Sequence, residues 1–239
     1  QGSLNEIRQF TGEAAHEIRT PLTRIRGEVE LLLRGDLAPD ARHALAGVVE
    51  ELDRLGGMVR DLLALSRADA GTVLAAREPI AVDALVEELA DQARVLGADR
   101  SIAVEVGDMS SVTVVGDAGL LKRLLWNLVD NAIRYSDPGG RVRLSVAPQG
   151  TDSVVSIEDT GVGIPPEDLA RVFDRFYRGK LARLRWPDGT GLGLSVCRAI
   201  ARAHGGELTV SSETGKGTRV EVRLPRTSAA APAEAVPVP

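Results

Sequence analysis

The sequence predicts an α+β protein in which a helical hairpin precedes an α/β sandwich with a mixed, largely antiparallel sheet. Over the first part of the chain, apolar residues recur at steps of three and four, which is the period of an amphipathic helix. Beyond residue 80, helical segments occur among short alternating segments that are grouped in hairpins. Grouped strands favour an antiparallel or mixed sheet over a doubly wound parallel one.

The hairpin is predicted from two apolar stripes. The first stripe runs through Ile7, Phe10, Ala14, Ile18, Leu22, Ile25, Val29 and Leu32, and the second through Leu45, Val48, Leu52, Leu55, Val59 and Leu62. Gly35 and the segment Leu37–Asp40 interrupt the pattern and predict a short connection. A lone hairpin cannot cover two long stripes, so two copies are expected to pair as a homodimer with a four-helix bundle. Packing of the hairpin onto the rest of the same chain is the alternative.

The chain is expected to comprise a hairpin domain (residues 1–68), a linker (69–79), a second domain (80–226) and a disordered tail (227–239). The tail is rich in Ala and Pro and has no periodicity. Within the second domain, helices are predicted at Val82–Leu96, Leu120–Ile133 and Leu192–Ala203, and strands at Ser101–Val106, Val112–Val115, Arg141–Val146, Ser153–Ile157, Leu208–Ser212 and Thr218–Leu224. Asp117 is the predicted N-cap of the middle helix.

Composition excludes several classes of function. The net charge is −5 and aromatic residues make up 3% of the chain, which argues against a protein that binds nucleic acid through a basic, aromatic face. Cys197 is the single cysteine, so no internal disulfide is possible, which fits a reducing compartment. No apolar run approaches the roughly 18 residues that a membrane span needs.

The first motif places a histidine beside an acid, His16-Glu17, with Thr20 one turn later. His16 follows Ala14 by two residues, about 200° around a helix, so it points away from the apolar stripe and into solvent. A core histidine would instead sit on the stripe. An exposed histidine next to a carboxylate suits a nucleophile whose proton has an acceptor.

The second motif contains two asparagines, Asn127 and Asn131, four residues apart on one predicted helix. Both amides therefore face the same side, and their neutral oxygens suit a Mg²⁺ ion that already carries anionic phosphates. Arg134 and Tyr135 at the end of the helix add a phosphate partner and a ring that can pack on a base. Taken alone, two asparagines are more often caps or surface residues.

The next two motifs are rich in glycine. Asp159 follows a predicted strand and precedes Gly161 and Gly163, where a carboxylate can accept a hydrogen bond from an adenine amino group and backbone can approach closely. An ordinary exit from a strand into a turn is the alternative. The other motif consists of Gly189, Thr190, Gly191, Leu192 and Gly193 at the start of a predicted helix. Its free N–H groups suit phosphate oxygens, although it matches neither a dinucleotide fingerprint nor a Walker loop.

Between these motifs, the segment Phe173–Arg178 concentrates three of the few aromatic residues, and residues 179–188 are polar and basic. The basic segment is expected to be a mobile lid whose cations meet a triphosphate. A solvated loop is the alternative.

In this order, the motifs resemble the catalytic core of sensor histidine kinases of two-component signalling. The segments that resemble the H, N, G1, F and G2 boxes of that family are His16–Leu22, Asn127–Tyr135, Asp159–Gly163, Phe173–Phe176 and Gly189–Gly193. Arg134 stands where many relatives have lysine, and Asp188 where glycine is frequent. The segments Phe10–His16 and Thr23–Glu28 are similar to those of kinases often associated with metal sensing.

The resemblance implies an ATP-binding domain of the Bergerat type, shared with gyrase and Hsp90. It also implies that ATP phosphorylates His16 and that the phosphoryl group passes to an aspartate in the receiver domain of a response regulator. Glu17 would accept or stabilise the proton of His16, and Thr20 would orient water for a reverse phosphatase activity.

For the nucleotide, the resemblance implies that Asn131 holds Mg²⁺ with Asn127 close by, and that Asp159 reads adenine. Tyr135 would line the base pocket, and Arg134 or Arg178 would contact phosphates. Gly161, Gly163 and the residues from Gly189 to Gly193 complete the expected ATP site.

Two other interpretations stay open. A regulatory ATP-binding scaffold would keep the pocket without phosphotransfer, although the His16-Glu17 pair and Asn131 argue against it. An Hsp90- or MutL-like ATPase would be expected to have glutamate at the position of Asn127. Because the family usually has a membrane span and an input domain upstream, we expect a cytoplasmic fragment of an inner-membrane sensor, attached to the membrane only through that N-terminal region.

Overall fold

A computed structural model describes residues 21–69, 77–187 and 189–227 of the chain. The chain divides into two compact units, Gln1–Val73 and Leu74–Pro239, and the division falls within the predicted linker. The domain limits at residues 68 and 80 stay a prediction. His16, Glu17 and Thr20 lie outside the described residues, as does the predicted tail beyond Thr227.

The first unit contains the predicted pair of helices, α1 (described over residues 21–33) and α2 (Pro39–Asp69). The N–H of Gly35 donates to the carbonyl of Leu32 at 3.0 Å and ends α1 where the sequence predicts. Arg42 on α2 reaches back, and its guanidinium donates to the carbonyl oxygens of Leu33 at 2.8 Å and Gly35 at 3.1 Å. A cation at the C-terminal carbonyls of a helix satisfies acceptors that have no partner within that helix.

Only part of each apolar stripe is covered within the described residues of this unit. Val29 and Val59 are buried, and Leu22 packs against Val59. Four other stripe residues remain between 36% and 56% exposed: Ile25, Leu32, Val48 and Leu55. An apolar stripe left open on both helices is what the sequence predicts for a hairpin that needs a partner surface.

The second unit mixes strands and helices. In its described residues the strands are β1 (Glu78–Ala81), β2 (Ala103–Met109), β3 (Thr113–Gly116), β4 (Arg141–Gln149), β5 (Asp152–Asp159), β6 (Glu207–Glu213) and β7 (Gly217–Pro225). The helices are α3 (Val82–Ala98), α4 (Ala118–Tyr135), the short α5 (Pro166–Leu169) and α6 (Lys180–Arg185), and α7 (Gly193–Ala203). Among the helices described in either unit, we find none with the length and apolar character that crossing a bilayer requires.

The main sheet has the strand order β2-β4-β5-β7-β6, and β1 pairs with β3 in a separate antiparallel ribbon. The β2–β4 pair is parallel, and the other neighbours in the main sheet are antiparallel. Along β4, buried Val142, Leu144 and Val146 alternate with exposed residues, so one face of the strand is covered. The helices α3, α4 and α7 each bury an apolar face. The α+β prediction, with a mixed and largely antiparallel sheet, is therefore confirmed.

Strand β1 was not predicted, because Glu78 and Pro79 were assigned to the linker and Ile80 and Ala81 to no element. Pro79 lies inside it and pairs with Val115 of β3. Proline lacks the N–H that a central strand donates, so it lowers the strand signal but is tolerated in an edge strand. The strand forms because a partner more than thirty residues away supplies the pairing.

Candidate functional site

The predicted asparagines lie on α4, which begins as the sequence predicts. The Asp117 carboxylate accepts the N–H of Leu120 at 2.9 Å, a side-chain cap at the first turn. The Nδ2 atom of Asn127 is buried and has no hydrogen-bond partner among the described residues. A buried donor without a partner costs on the order of 1–3 kcal/mol, so this amide is a candidate for a hydrogen bond to a ligand.

Asn131 faces the start of α7. A Cβ atom added to Gly193 would lie 3.8 Å from the Asn131 Nδ2 atom, so the glycine leaves open space beside the amide. The N-cap of α7, Leu192, makes no side-chain capping bond, and Thr190 Oγ1 accepts the N–H of Leu192 at 3.2 Å. An uncapped helix N-terminus presents free N–H groups, which suits a phosphate.

Asp159 lies at the end of β5, half-buried, where it receives two backbone bonds. The N–H groups of Gly161 and Thr218 donate to its Oδ1 atom at 2.8 and 3.2 Å. Among the described residues we find no hydrogen bond to Oδ2, so this atom can accept one from a ligand. Burial raises the pKa of the carboxyl from 3.8 to about 6, although the two backbone bonds oppose the rise. A carboxylate in this setting is a directional acceptor with few competing waters.

The glycines after Asp159 are required by close packing of the chain. A Cβ on Gly161 would lie 2.7 Å from the carbonyl carbon of Tyr135 and 2.9 Å from the Asp159 Oδ1 atom. Gly163 has a φ of +66° and lies directly against the backbone of Glu213. From the sequence, we expected these positions to be glycine so that a ligand could approach. The structure shows that contact with neighbouring backbone already requires glycine at both positions.

Tyr135 brings the end of α4, the loop after Asp159 and the lid together. Its carbonyl accepts the N–H of Val162 at 3.1 Å. Burial raises the pKa of the Tyr135 hydroxyl, while the neighbouring Arg178 and Arg134 act in the opposite direction. The phenol ring therefore lies within reach of both arginines that the sequence assigned to phosphates.

Arg178 closes the lid segment on itself. Its guanidinium donates to the carbonyl oxygens of Pro187 at 2.6 Å, Gly189 at 2.8 Å and Ala182 at 3.0 Å, and also to that of Trp186. One planar cation thus holds the loop before the second glycine motif. A contact between Arg178 and a phosphate requires some of these bonds to be exchanged.

Arg134 is likewise engaged. Its Nε donates to the Asp130 carboxylate at 2.6 Å, and its Cζ lies 4.4 Å from the centre of the Trp186 ring. Arg100 approaches the same ring at 5.0 Å. Trp186 is thereby held at the end of α4 by two cations, an attraction worth about 0.5–1 kcal/mol per contact at exposed sites.

The neighbouring lid residue Arg185 adds a polar link to the same place. It donates to the carbonyl of Ser136 at 2.5 Å and pairs with the Asp137 carboxylate at 2.8 Å. The basic lid residues Arg178 and Arg185 therefore hold the lid against α4 and close it on itself.

The aromatic segment supports the second glycine motif. Gly191 has a φ of +71°, and a Cβ there would lie 2.9 Å from the Cα of Phe176, whose N–H donates to the Gly191 carbonyl at 2.9 Å. Phe176 itself has a φ of +64° and is 63% exposed. The two segments are interdependent, because a side chain at Gly191 would displace Phe176.

Comparisons with known proteins match both units. The family described as His Kinase A (phospho-acceptor) domain matches residues 6–71, and the family described as Histidine kinase-, DNA gyrase B-, and HSP90-like ATPase matches residues 116–228. The relative named "Probable sensor histidine kinase TcrY" of Mycobacterium tuberculosis (strain ATCC 25618 / H37Rv) is 40% identical over 226 residues, which cover 94% of this chain and 47% of TcrY.

Solved structures agree. Full-length ShkA in complex with AMPPNP superposes with a TM-score of 0.79 at 28% identity over 95% of this chain and 48% of ShkA. The mycobacterial sensor histidine kinase MprB has a TM-score of 0.55 at 32% identity over 62% of this chain and 98% of that chain. The chain belongs to the sensor histidine kinases. It spans about half the length of TcrY and of ShkA.

In this chain the predicted nucleotide-binding residues lie on α4 or in the segments that pack against it. Asn127 and Asn131 lie on α4, the Asp159 loop contacts Tyr135, and Gly193 faces Asn131. Within the described ranges, we find no group of three or more His, Cys, Asp or Glu side chains that could hold a metal ion.

Two contacts at the site were missed by sequence reasoning. Asp130 pairs with Arg134 at the four-residue spacing that favours ion pairs on a helix, so this partner could have been found. The N–H of Thr218 donates to Asp159 from a strand 59 residues further along the chain. Residues near Asp159 in the sequence do not indicate this contact.

The raised pKa of Asp159 predicts a stabilising substitution. In Asp159→Asn, the second unit should gain about 1–3 kcal/mol in unfolding free energy at neutral pH, because a buried charge is removed. The folded-state pKa lies above the unfolded one, so the wild-type penalty is complete above pH about 6 and disappears toward pH 3.8. Urea unfolding between pH 4 and pH 8 should show the advantage shrinking as the pH falls.

Asp152→Asn, at the other end of β5, serves as the matched control for removal of a carboxylate from the same strand. Equal unfolding free energies for Asp159→Asn and wild type at all pH values would contradict the assignment.

The stack on Trp186 predicts a fluorescence change. Arg134→Lys keeps a positive charge but loses the planar group that covers the ring, so Trp186 should become more exposed. We expect red-shifted tryptophan emission and stronger quenching by acrylamide. Trp186→Phe reports Trp126 alone and supplies the baseline. The stack is disproved if Arg134→Lys leaves emission and quenching unchanged.

Proposed function

We propose that this chain uses ATP to phosphorylate His16 and then passes the phosphoryl group to an aspartate in the receiver domain of a response regulator. The observation that supports this most directly is the Asn127 amide, which is buried without a partner on α4. It belongs to the same unit as the half-buried Asp159 carboxylate and the uncapped start of α7. A polar group left unsatisfied among such neighbours is suited to a bound nucleotide.

In this proposal the phosphates lie between α4 and the N-terminus of α7, and the base lies near Asp159 and Tyr135. Bound ATP supplies the γ-phosphoryl group, with ADP as the leaving group. Asp159 accepts a hydrogen bond from the base amino group through its Oδ2 atom. Main-chain N–H groups from Gly189 to Gly193 donate to phosphate oxygens, and Arg178 or Arg134 joins them once its present bonds are exchanged.

The residues present also fit Mg²⁺. The amide oxygen of Asn131 is the proposed protein ligand, with Asn127 close by, and phosphate oxygens complete the coordination. An ion held by so few protein groups depends on the nucleotide for its affinity. Consistent with this, we find no cluster of acidic and histidine ligands among the residues that the structure describes.

His16 is the proposed nucleophile. Its reference pKa of about 6.5 leaves much of the imidazole neutral at pH 7, so Nε2 can offer its lone pair. Formation of the N–P bond makes the ring cationic, and Glu17 accepts or stabilises the Nδ1 proton. Thr20, four residues after His16 in the sequence, is proposed to orient water for the reverse reaction on the response regulator.

The hairpin is proposed to dimerise. Ile25, Leu32, Val48 and Leu55 keep a third or more of their surface exposed. A second copy of the hairpin would cover these residues in a four-helix bundle. The chain spans 47% of TcrY. We propose that it acts in the cytoplasm, and that sensing and membrane attachment are functions of the whole protein.

Removal of the nucleophile tests the central step. His16→Gln should abolish incorporation of radiolabel from γ-labelled ATP, and the label on wild type should be lost in acid and retained in base, as expected of phosphohistidine. His43→Gln is the matched control, because His43 is an exposed histidine on α2 and should leave labelling intact. Label that persists in His16→Gln would refute the proposal, and nucleotide binding without labelling of wild type would favour the scaffold or the ATPase.

A charge on the open stripe tests dimerisation. Leu55→Asp should convert the dimer to a monomer in light scattering, because an unpaired carboxylate in an apolar interface is strongly unfavourable. Leu31→Asp is the control: Leu31 is 68% exposed and lies outside the stripe. A Leu55→Asp protein that remains dimeric would contradict this interface.

A further inference from the structure

His204, just beyond the end of α7, connects that helix to the start of α4. Its Nδ1 lies 2.8 Å from the carbonyl oxygen of Ile200, and its Nε2 accepts the N–H of Asp117 at 3.0 Å. A ring nitrogen that faces a carbonyl must carry the proton, and one that accepts an N–H must not. His204 is therefore neutral, with its proton on Nδ1.

The imidazole ring of His204 is buried and tightly packed. His204 is 8% exposed, and a Cβ atom added to Gly116 would lie 2.6 Å from its Nε2. Gly116 is the last residue of β3 and precedes the cap residue Asp117. Histidine thus sits directly against the junction from which α4 starts.

Two further contacts show how α7 lies along α4. In the middle of the pair, the thiol of Cys197 donates to the carbonyl of Leu124 at 3.5 Å. At the far end, Gly193 faces Asn131. Successive contacts are seven residues apart on α4, and they run in the opposite direction on α7. The helices are therefore antiparallel, with His204 at one end and the candidate phosphate site at the other.

Among the described residues, we find no hydrogen bond that joins α4 to α7 at the phosphate end of this pair. Gly193 contributes no side chain, and the Asn127 amide has no partner among the described residues. Between the ends, the helices meet through buried apolar residues such as Leu121 and Val196, and through the long contact of the Cys197 thiol, a weak donor, with the Leu124 carbonyl. Apolar contact is non-directional, whereas a hydrogen bond requires a defined distance and angle.

We propose that His204 is a positioning residue for the nucleotide site. Its bond to Asp117 fixes how far α7 is advanced along α4, and this sets the gap between the Gly189–Gly193 loop and Asn131. The inference rests on the proposed function, because it places the nucleotide phosphates in that gap. A purely structural role would lower the stability of the fold without changing nucleotide affinity in the variants that still fold.

Two substitutions separate the two bonds. The amide nitrogen of asparagine can take the place of Nδ1, so His204→Asn can keep the bond to Ile200 and loses the bond to Asp117. The amide oxygen of glutamine can take the place of Nε2, so His204→Gln keeps an acceptor for Asp117. If His204 positions α7, His204→Gln should bind a non-hydrolysable ATP analogue with nearly wild-type Kd, while His204→Asn, in which α7 is free to shift along α4 and change the phosphate gap, should bind about tenfold more weakly, a typical size for coupling between separate sites.

Calorimetric titration of the full chain with the analogue and Mg²⁺ gives the Kd values, and melting temperatures show that the variants are folded. In turnover with ATP, His204→Asn should raise KM more than it lowers kcat. Equal Kd values for wild type and both folded variants overturn the inference and leave the proposed function intact. A wild-type chain that fails to bind the analogue overturns both.

Gly116→Ala keeps the test decisive if His204→Asn does not fold. Gly116 is not in the positive-φ region, so alanine is permitted there, but its methyl group displaces the ring of His204 from the side of β3. The same weakening of analogue binding is expected. An unchanged Kd in folded Gly116→Ala overturns the inference.

Discussion

The contact between α4 and α7 is the one on which the second unit depends. Both helices bury apolar faces, and this burial supplies most of the free energy that holds them together. At one end, the Asn127 amide has no partner among the described residues and Gly193 contributes no side chain. The hydrogen-bonded end at His204 and the proposed phosphate end at Asn131 thus lie at opposite ends of the helix pair.

The lid follows from the same arrangement. Its cations are engaged without any ligand: Arg178 holds four carbonyl groups of the loop, and Arg185 holds the turn after α4. Trp186 rests between Arg100 and Arg134. These bonds hold the described part of the lid against α4, and under the proposed function a triphosphate would exchange one set of charge-assisted bonds for another.

Local signals predicted much of this molecule. The period of the apolar residues predicted the hairpin, and Asp117 predicted the start of α4. Grouped alternating segments predicted the antiparallel strands. Features that depend on distant partners escaped prediction. Strand β1 needs β3, and Asp159 needs the N–H of Thr218. The need for glycine at Gly161 was predicted for a different reason, because the approach of the Tyr135 backbone cannot be deduced from a motif.

The buried carboxyl at the end of β5 has a further consequence for energetics. Near pH 6 the Asp159 carboxyl is divided between its neutral and ionised forms. An amino group that donates to its oxygen selects the ionised form, so occupation of the site expels a proton. The heat measured for nucleotide uptake in that range then includes the protonation enthalpy of the buffer, and its dependence on the choice of buffer counts the protons released.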